Sequence, residues 1–241
     1  MKIIRCKNYD EMSAAAAKVV AEAIATKPDL VLGLATGSTP EGMYAELVKA
    51  YKAGEVDFSK VTTVNLDEYC GLQPEHDQSY RYFMQSNLFD HVNVDPARTF
   101  LPAGNVEDFE AEAARYEKMV AELGYADLQI LGVGGNGHIG FNEPAESILA
   151  DTHVTALKPE TIRANSRFFA SVDDVPKYAL TMGVGTIMNA RHIVLMASGK
   201  VKADAIAALL GDTVSTLCPV TLLKMHPNVT VICDEDAWPA E

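Results

Sequence analysis

Basic side chains are scarce in this chain. Its 241 residues carry 20 Lys plus Arg against 33 Asp plus Glu, a formal net charge of −13, with no basic tail or stripe. A field of that sign repels a phosphodiester backbone, so no nucleic-acid partner is expected. The few cations of the second half, among them Arg163, Arg167, Lys200 and Lys202, would stand out as an anion site if two of them clustered. Cysteine is equally sparse. Cys6, Cys70, Cys218 and Cys233 lie far apart without C-x-x-C spacing, so neither a zinc ribbon nor a disulfide framework is indicated. Reduced thiols fit a cytoplasmic protein. No apolar run approaches the roughly 18 to 20 residues that span a bilayer, and MKIIRCKNYDEM is too polar for a signal peptide. The expectation is a soluble, cytoplasmic protein with no membrane partner. Linkers rich in Gly, Ser or Pro, internal repeats and low-complexity segments are also missing. Residues 1–241 therefore read as a single domain.

What is present is an alternation. Short runs rich in Val, Ile and Leu at Leu30–Leu34, Val61–Leu66, Leu128–Val133, Ile193–Ala197 and Val229–Cys233 have the length and composition of buried parallel strands. Between them, segments 11–25, 41–53, 107–123 and 200–210 repeat apolar residues at helical spacing. The pattern predicts an α/β fold: an open, mostly parallel sheet covered by helices on both faces, doubly wound and Rossmann-like. In such sheets ligands bind outside the carboxyl ends of the strands, where TGSTP at 36–40, DEY at 67–69 and GGNGHIG at 134–140 are expected to converge.

Three motifs carry chemistry. GLATGSTPEG at 33–42 sets Thr36, Gly37, Ser38 and Thr39 between a strand and a helix whose first turn can begin at Pro40. Hydroxyls and unpaired N–H groups at a helix N-terminus form a phosphate cradle, although a Ser or Thr cap followed by Pro reads equally as a plain helix start. The run Gly132-x-Gly134-x-x-Gly137 matches a dinucleotide fingerprint in form, but Gly140 and Pro144 follow too soon for the helix which that fold requires. LGVGGNGHIGFNEP at 131–144 instead gathers Asn136, His138 and Glu143 on a glycine loop, as an oriented proton shuttle needs; a buried structural histidine is the competing reading. His76, His91, His153, His192 and His226 show no ligand spacing, so no metal is expected. In VNLDEY, Asp67 and Glu68 end a strand and should point to opposite faces, so at most one faces a site; the plain alternative is that one caps a following turn and the other is solvated.

In their order, LGLATGSTPEGMY, TVNLDEYCGL, GVGGNGHIGFNEP, ANSRFF, PKYALTMGVGTIM and the SGKVKA region resemble the glucosamine-6-phosphate deaminase (isomerase) family over nearly the whole chain. The resemblance implies conversion of D-glucosamine 6-phosphate and water into D-fructose 6-phosphate and ammonia, with a small-molecule sugar phosphate as partner and no metal or organic cofactor. It also implies roles for individual residues. Asp67 matches the base that removes the C2 proton and returns a proton at C1, His138 the ring-opening acid–base group, and Glu143 its orienting carboxylate. Thr36, Gly37, Ser38, Thr39, Arg167 and Lys202 match phosphate ligands.

Two departures stand out. Asn136 occupies a position where long family members carry aspartate, and an amide hydrogen-bonds without supplying charge. His153 and Thr155 replace basic residues with which those members grip an activator, and the chain lacks their C-terminal extension, so a non-allosteric monomer is expected. The rival readings are a 6-phosphogluconolactonase, which needs no C2 base, and a sugar-phosphate sensor without turnover.

Overall fold

β-Branched and leucine side chains fit a pleated surface covered on both sides, and the apolar runs become strands of that kind. The computed structural model describes residues 1–158, 162–163, 166, 169, 171 and 174–239. In chain order its elements are β1 (Lys2–Cys6), α1 (Tyr9–Thr26), β2 (Val31–Leu34), α2 (Ser38–Lys52), β3 (Thr62–Asn65), β4 (Asp67–Tyr69), α3 (Tyr80–Asn87), β5 (Thr99–Phe100), α4 (Phe109–Glu122), β6 (Leu128–Gly132), β7 (His153–Ala156), β8 (Tyr178–Thr181), α5 (Val184–Met188), β9 (Ile193–Ala197), α6 (Ala203–Leu210) and β10 (Val229–Asp234). All five expected strands are there, within about a residue at each end. β1 was not anticipated: an edge strand with β10 as its one partner, it leaves Lys2 and Ile3 exposed and lacks a continuous apolar run.

Seven strands form a parallel sheet in the order β1-β10-β9-β6-β2-β3-β5. The winding reverses between β2 and β6, which makes the sheet doubly wound. Right-handed crossovers then place α1 and α2 on one face and α4 and α6 on the other. In agreement, α1 packs along α2. Strands β6, β9 and β10 are almost wholly buried, and Leu131, Leu195 and Val231 are inaccessible to solvent.

A second sheet, β4-β8-β7, is antiparallel. The two sheets meet at Leu66, whose N–H donates to the Leu34 carbonyl of the parallel sheet while its own carbonyl accepts from Met182 N–H at 2.7 Å. Asp67 thus begins the second sheet directly above the carboxyl edge of the first. Glu117 on α4 ties in the far side by accepting from Thr152 Oγ1 at 2.6 Å and Thr186 Oγ1 at 2.7 Å.

Truncating Leu195 at the centre of β9 leaves a cavity between packed layers, so Leu195→Ala should cost about 2–5 kcal/mol. Urea unfolding should show a lower midpoint with an unchanged slope; a midpoint within error of the parent would contradict this account of the core.

Candidate active site

The reversal of winding leaves a crevice above β2 and β6, and there a cavity of about 460 Å³ opens. The chain leaves β2 through Ala35 and Thr36 and enters α2 at Ser38, two residues before Pro40, the first helical position suggested by the sequence. The reason is Gly37, which serves as N-cap with φ 91°, a conformation that disfavours any side chain. No side chain caps the turn, so the plain capped-helix reading is not realised and the first N–H groups of α2 are left for a ligand. Tyr9 of α1 steadies this turn: its hydroxyl donates to the Ser38 carbonyl at 2.8 Å and accepts from Gly42 N–H at 2.8 Å. Thr36, Gly37, Ser38 and Thr39 all line the cavity, and Lys202, which follows β9, lines it with them. Burial pushes the Lys202 ammonium pKa down from its ordinary value.

Asp67 and Glu68 take opposite directions, as strand geometry requires. Glu68 is buried and turned away, accepting the backbone N–H groups of Tyr69, Tyr80 and Arg81 at 2.8–2.9 Å. It caps the first turn of α3 from within the protein rather than standing in solvent. Asp67, 7% exposed, lines the cavity. Burial and the neighbouring Glu68 push its pKa up to about 8. Across the ladder its partner is Thr181, whose hydroxyl accepts from Phe141 N–H at 3.1 Å and so ties the FNEP loop beneath the carboxyl.

The glycine loop after β6 closes on itself through Gly134 N–H to His138 carbonyl at 2.9 Å and Gly137 N–H to Gly134 carbonyl at 3.0 Å. His138 lines the cavity, with Asn136 and Glu143 behind it. Asn136 Nδ2 donates to Glu143 Oε2 at 2.8 Å. A carboxylate only accepts, so this contact turns Asn136 Oδ1 toward the imidazole, 2.7 Å from Nδ1. An amide oxygen also only accepts, so Nδ1 carries a proton and Nε2 is the ring nitrogen left to exchange one with a ligand. Glu143 Oε1 lies 3.5 Å from the same Nδ1, and Lys158 Nζ is 3.7 Å from Oε2. Burial raises the Glu143 pKa, but His138, the Asn136 amide and Lys158 outweigh it and hold it down at about 2.

Nine of the ten residues singled out in the sequence therefore gather in or directly behind one cavity; the tenth, Arg167, lies outside the described residues. The cap expected of one of the two carboxylates falls to Glu68, at the start of α3. Sequence reasoning missed Thr181 as the cross-strand neighbour of Asp67 and Lys158 beside Glu143. Of these Lys158 left a signal, as a cation in an acidic chain 15 residues beyond Glu143. An aromatic wall was also missed, with Tyr80 stacked on Phe141 at 6.2 Å and tilted against Tyr69 at 4.8 Å. Among the described residues no group of three or more His, Cys, Asp or Glu side chains could hold a metal, and no helix is long and apolar enough to cross a membrane.

Comparison with known proteins sets this site in a family. The family model for glucosamine-6-phosphate isomerases/6-phosphogluconolactonase matches residues 7–232. A glucosamine-6-phosphate deaminase of Clostridium perfringens is 54% identical over 237 residues, 98% of each chain, and one of Halothermothrix orenii is 55% identical with the same coverage. A solved structure described as a monomeric glucosamine-6-phosphate deaminase superposes with a TM-score of 0.95 at 48% identity over 98% of both chains. The 6-phosphogluconolactonase from Trypanosoma cruzi shares the fold, with a TM-score of 0.77 at 22% identity over 98% of this chain and 95% of its own. The chain belongs to the family of glucosamine-6-phosphate isomerases and 6-phosphogluconolactonases.

Proposed function

We propose that the chain converts D-glucosamine 6-phosphate and water into D-fructose 6-phosphate and ammonia, as amino-sugar catabolism requires. The observation that carries this reading is a buried carboxyl, Asp67, facing the same cavity as an imidazole whose Nδ1 is held by Asn136, beside an uncapped helix N-terminus. Relatives 54–55% identical bear the name of that activity. A lactonase would have no use for a base at carbon two, and its likeness to this chain is one of fold.

The steps follow from the residue types. Phosphate bound by Thr36, Gly37, Ser38, Thr39, Lys202 and Arg167 anchors the sugar at the end remote from C1 and C2, so that its binding energy holds the reacting carbons in register. His138 Nε2 takes the proton of the anomeric hydroxyl and returns it to the ring oxygen, opening the pyranose. Glu143 acts through Asn136, fixing the tautomer that this step needs. Asp67 then removes the C2 proton and a proton is returned at C1, leaving an imine at C2. Water hydrolyses the imine to the ketose and ammonia. A solved relative 48% identical is described as monomeric, and in keeping with it the reading is of a single domain acting as a cytoplasmic monomer, with simple hyperbolic kinetics.

Incubating the purified protein with glucosamine 6-phosphate should release ammonia and fructose 6-phosphate in equal amounts. Binding without product would favour a sensor, and lactone hydrolysis without ammonia a lactonase. Asp67→Asn should lower kcat by about 10²- to 10⁴-fold and abolish exchange of the C2 hydrogen with heavy water; exchange at the parental rate would exclude Asp67 as the base. Lys202→Ala should act mainly on KM, raising it by roughly tenfold or more through loss of a charge-assisted contact to phosphate. A Cβ on Gly134 would stand 2.2–2.5 Å from the His138 ring, so Gly134→Ala should displace the imidazole. Its kcat should fall by about 10²-fold or more without loss of the folded state by circular dichroism, and full activity would show that the ring can shift harmlessly.

A further inference from the structure

A base must be ionised to accept a proton, and the surroundings of Asp67 withhold what would ionise it. Asp67, 7% exposed at the head of β4, makes no side-chain hydrogen bond or ion pair among the described residues. Among the described residues, the groups that face it bring no positive charge. Glu68 and Tyr69 flank it on its own strand, Thr181 lies across the ladder on β8, and the phenols of Tyr44, Tyr80 and Tyr116 approach from α2, α3 and α4. Of the described residues, His138 and Lys202 line the same cavity, and neither pairs with the carboxyl. His138 holds its Nδ1 proton against Asn136, and the Lys202 ammonium is weakened by burial alone, with no carboxylate beside it. Burial and the neighbouring Glu68 therefore favour the acid form of Asp67 at neutral pH, its pKa pushed up to about 8.

The substrate carries the missing charge. A base positioned to take the C2 hydrogen necessarily lies beside the substituent on the same carbon, and in a 2-amino sugar that substituent is an ammonium group. We propose that the substrate's own 2-ammonium group ionises Asp67 on binding, so that this enclosed carboxyl selects 2-amino sugar phosphates over 2-hydroxy sugar phosphates before any bond breaks. An opposite charge within about 4–6 Å lowers a carboxyl pKa by roughly 1–3, about a 10- to 1000-fold gain in the ionised form relative to the acid. From about 8 that brings Asp67 into the range where it works as a base at neutral pH. The displaced proton leaves for solvent; no electron pair moves until the carboxylate takes the C2 proton. A 2-hydroxy sugar phosphate would still be held by its phosphate but would meet the acid form, which cannot accept that proton. The inference rests on the assignment of Asp67 as the C2 base and adds the reason for its enclosure.

Two alditols without a reactive carbonyl provide the test: 2-amino-2-deoxyglucitol 6-phosphate and glucitol 6-phosphate, titrated calorimetrically into the whole protein at pH 6.5 in two buffers of different protonation enthalpy. The amino alditol should release more protons per site than the plain alditol, by roughly 0.2 to 0.9 for a lowering of about 1–3 in pKa, and Asp67→Asn should erase the difference. Equal release by both ligands would overturn the proposal. Should the plain alditol bind too weakly, the amino alditol affinity serves alone. Its Kd should fall by up to about tenfold per pH unit between 6.5 and 7.5 in the parent, more steeply than in Asp67→Asn, and identical slopes would overturn the proposal. A separate arm isolates the assignment beneath it: if Asp67→Asn still exchanges the C2 hydrogen of glucosamine 6-phosphate at the parental rate, the base lies elsewhere whatever the proton count.

Discussion

One residue, Leu66, serves two sheets at once through its main chain. Its N–H completes the parallel ladder beside β2 and its carbonyl opens the antiparallel ladder beside β8. A backbone group buried at such a junction must be paired or pay the cost of desolvation, so the change of sheet is confined to this residue. Asp67 comes next. It is placed at the carboxyl edge of the parallel sheet by main-chain bonds alone, which leaves its side chain without obligations to the scaffold. Strand alternation sends Glu68 the other way, where three N–H groups hold it and with it the start of α3. Two adjacent carboxylates of the same sequence motif are thus divided by geometry into one that binds the fold and one that is available for chemistry.

A second division concerns charge. Asp67 and Glu143 belong to one site, yet their surroundings push them in opposite directions, to about 8 and about 2. Glu143 is met by the Asn136 amide, His138 and the Lys158 ammonium, and so stays a fixed negative charge that only accepts. Asp67 has aromatic walls and a like-charged neighbour, and so sits near the pH at which protons are exchanged. Pairs of titratable groups driven apart in this way mark the assignment of roles in acid–base catalysis. The neutral Asn136 between Glu143 and His138 conveys orientation rather than charge: the anion fixes the amide, and the amide fixes the tautomer.

Most of this arrangement was legible in the sequence because it rests on local signals. The runs Leu128–Val133 and Ile193–Ala197 are so uniformly apolar that only a doubly covered strand accommodates them, and the glycines of GGNGHIG mark a loop that must turn tightly. What stayed hidden depends on partners distant in sequence. The antiparallel sheet joins β4 to β8, more than a hundred residues on, and β7 reads His-Val-Thr-Ala, a stretch of mixed burial with no period of its own. The first turn of α2 starts earlier than Pro40 suggested because Gly37 can adopt the N-cap conformation unaided, with Tyr9 from another helix supporting the turn. Thr181 gives no hint of its place beside Asp67 until the register of the ladder is known.

The order of strands explains how so few residues suffice. Lys202 follows β9, His138 follows β6, Thr36–Thr39 follow β2 and Asp67 follows β3, and these four strands are consecutive neighbours in the sheet. With about 4.8 Å between neighbours, their carboxyl ends span roughly 14 Å, a distance that one sugar phosphate and the side chains reaching toward it can fill. None of the four elements needs a long excursion to reach the others. Their relative positions are set by parallel ladders whose registers are locked by burial on both faces, the kind of rigid support that acid–base chemistry demands when a displacement of 1 Å costs orders of magnitude in rate. The outer strands β1, β10 and β5 contribute no proposed site residue, and their work is to keep the central four covered and in register.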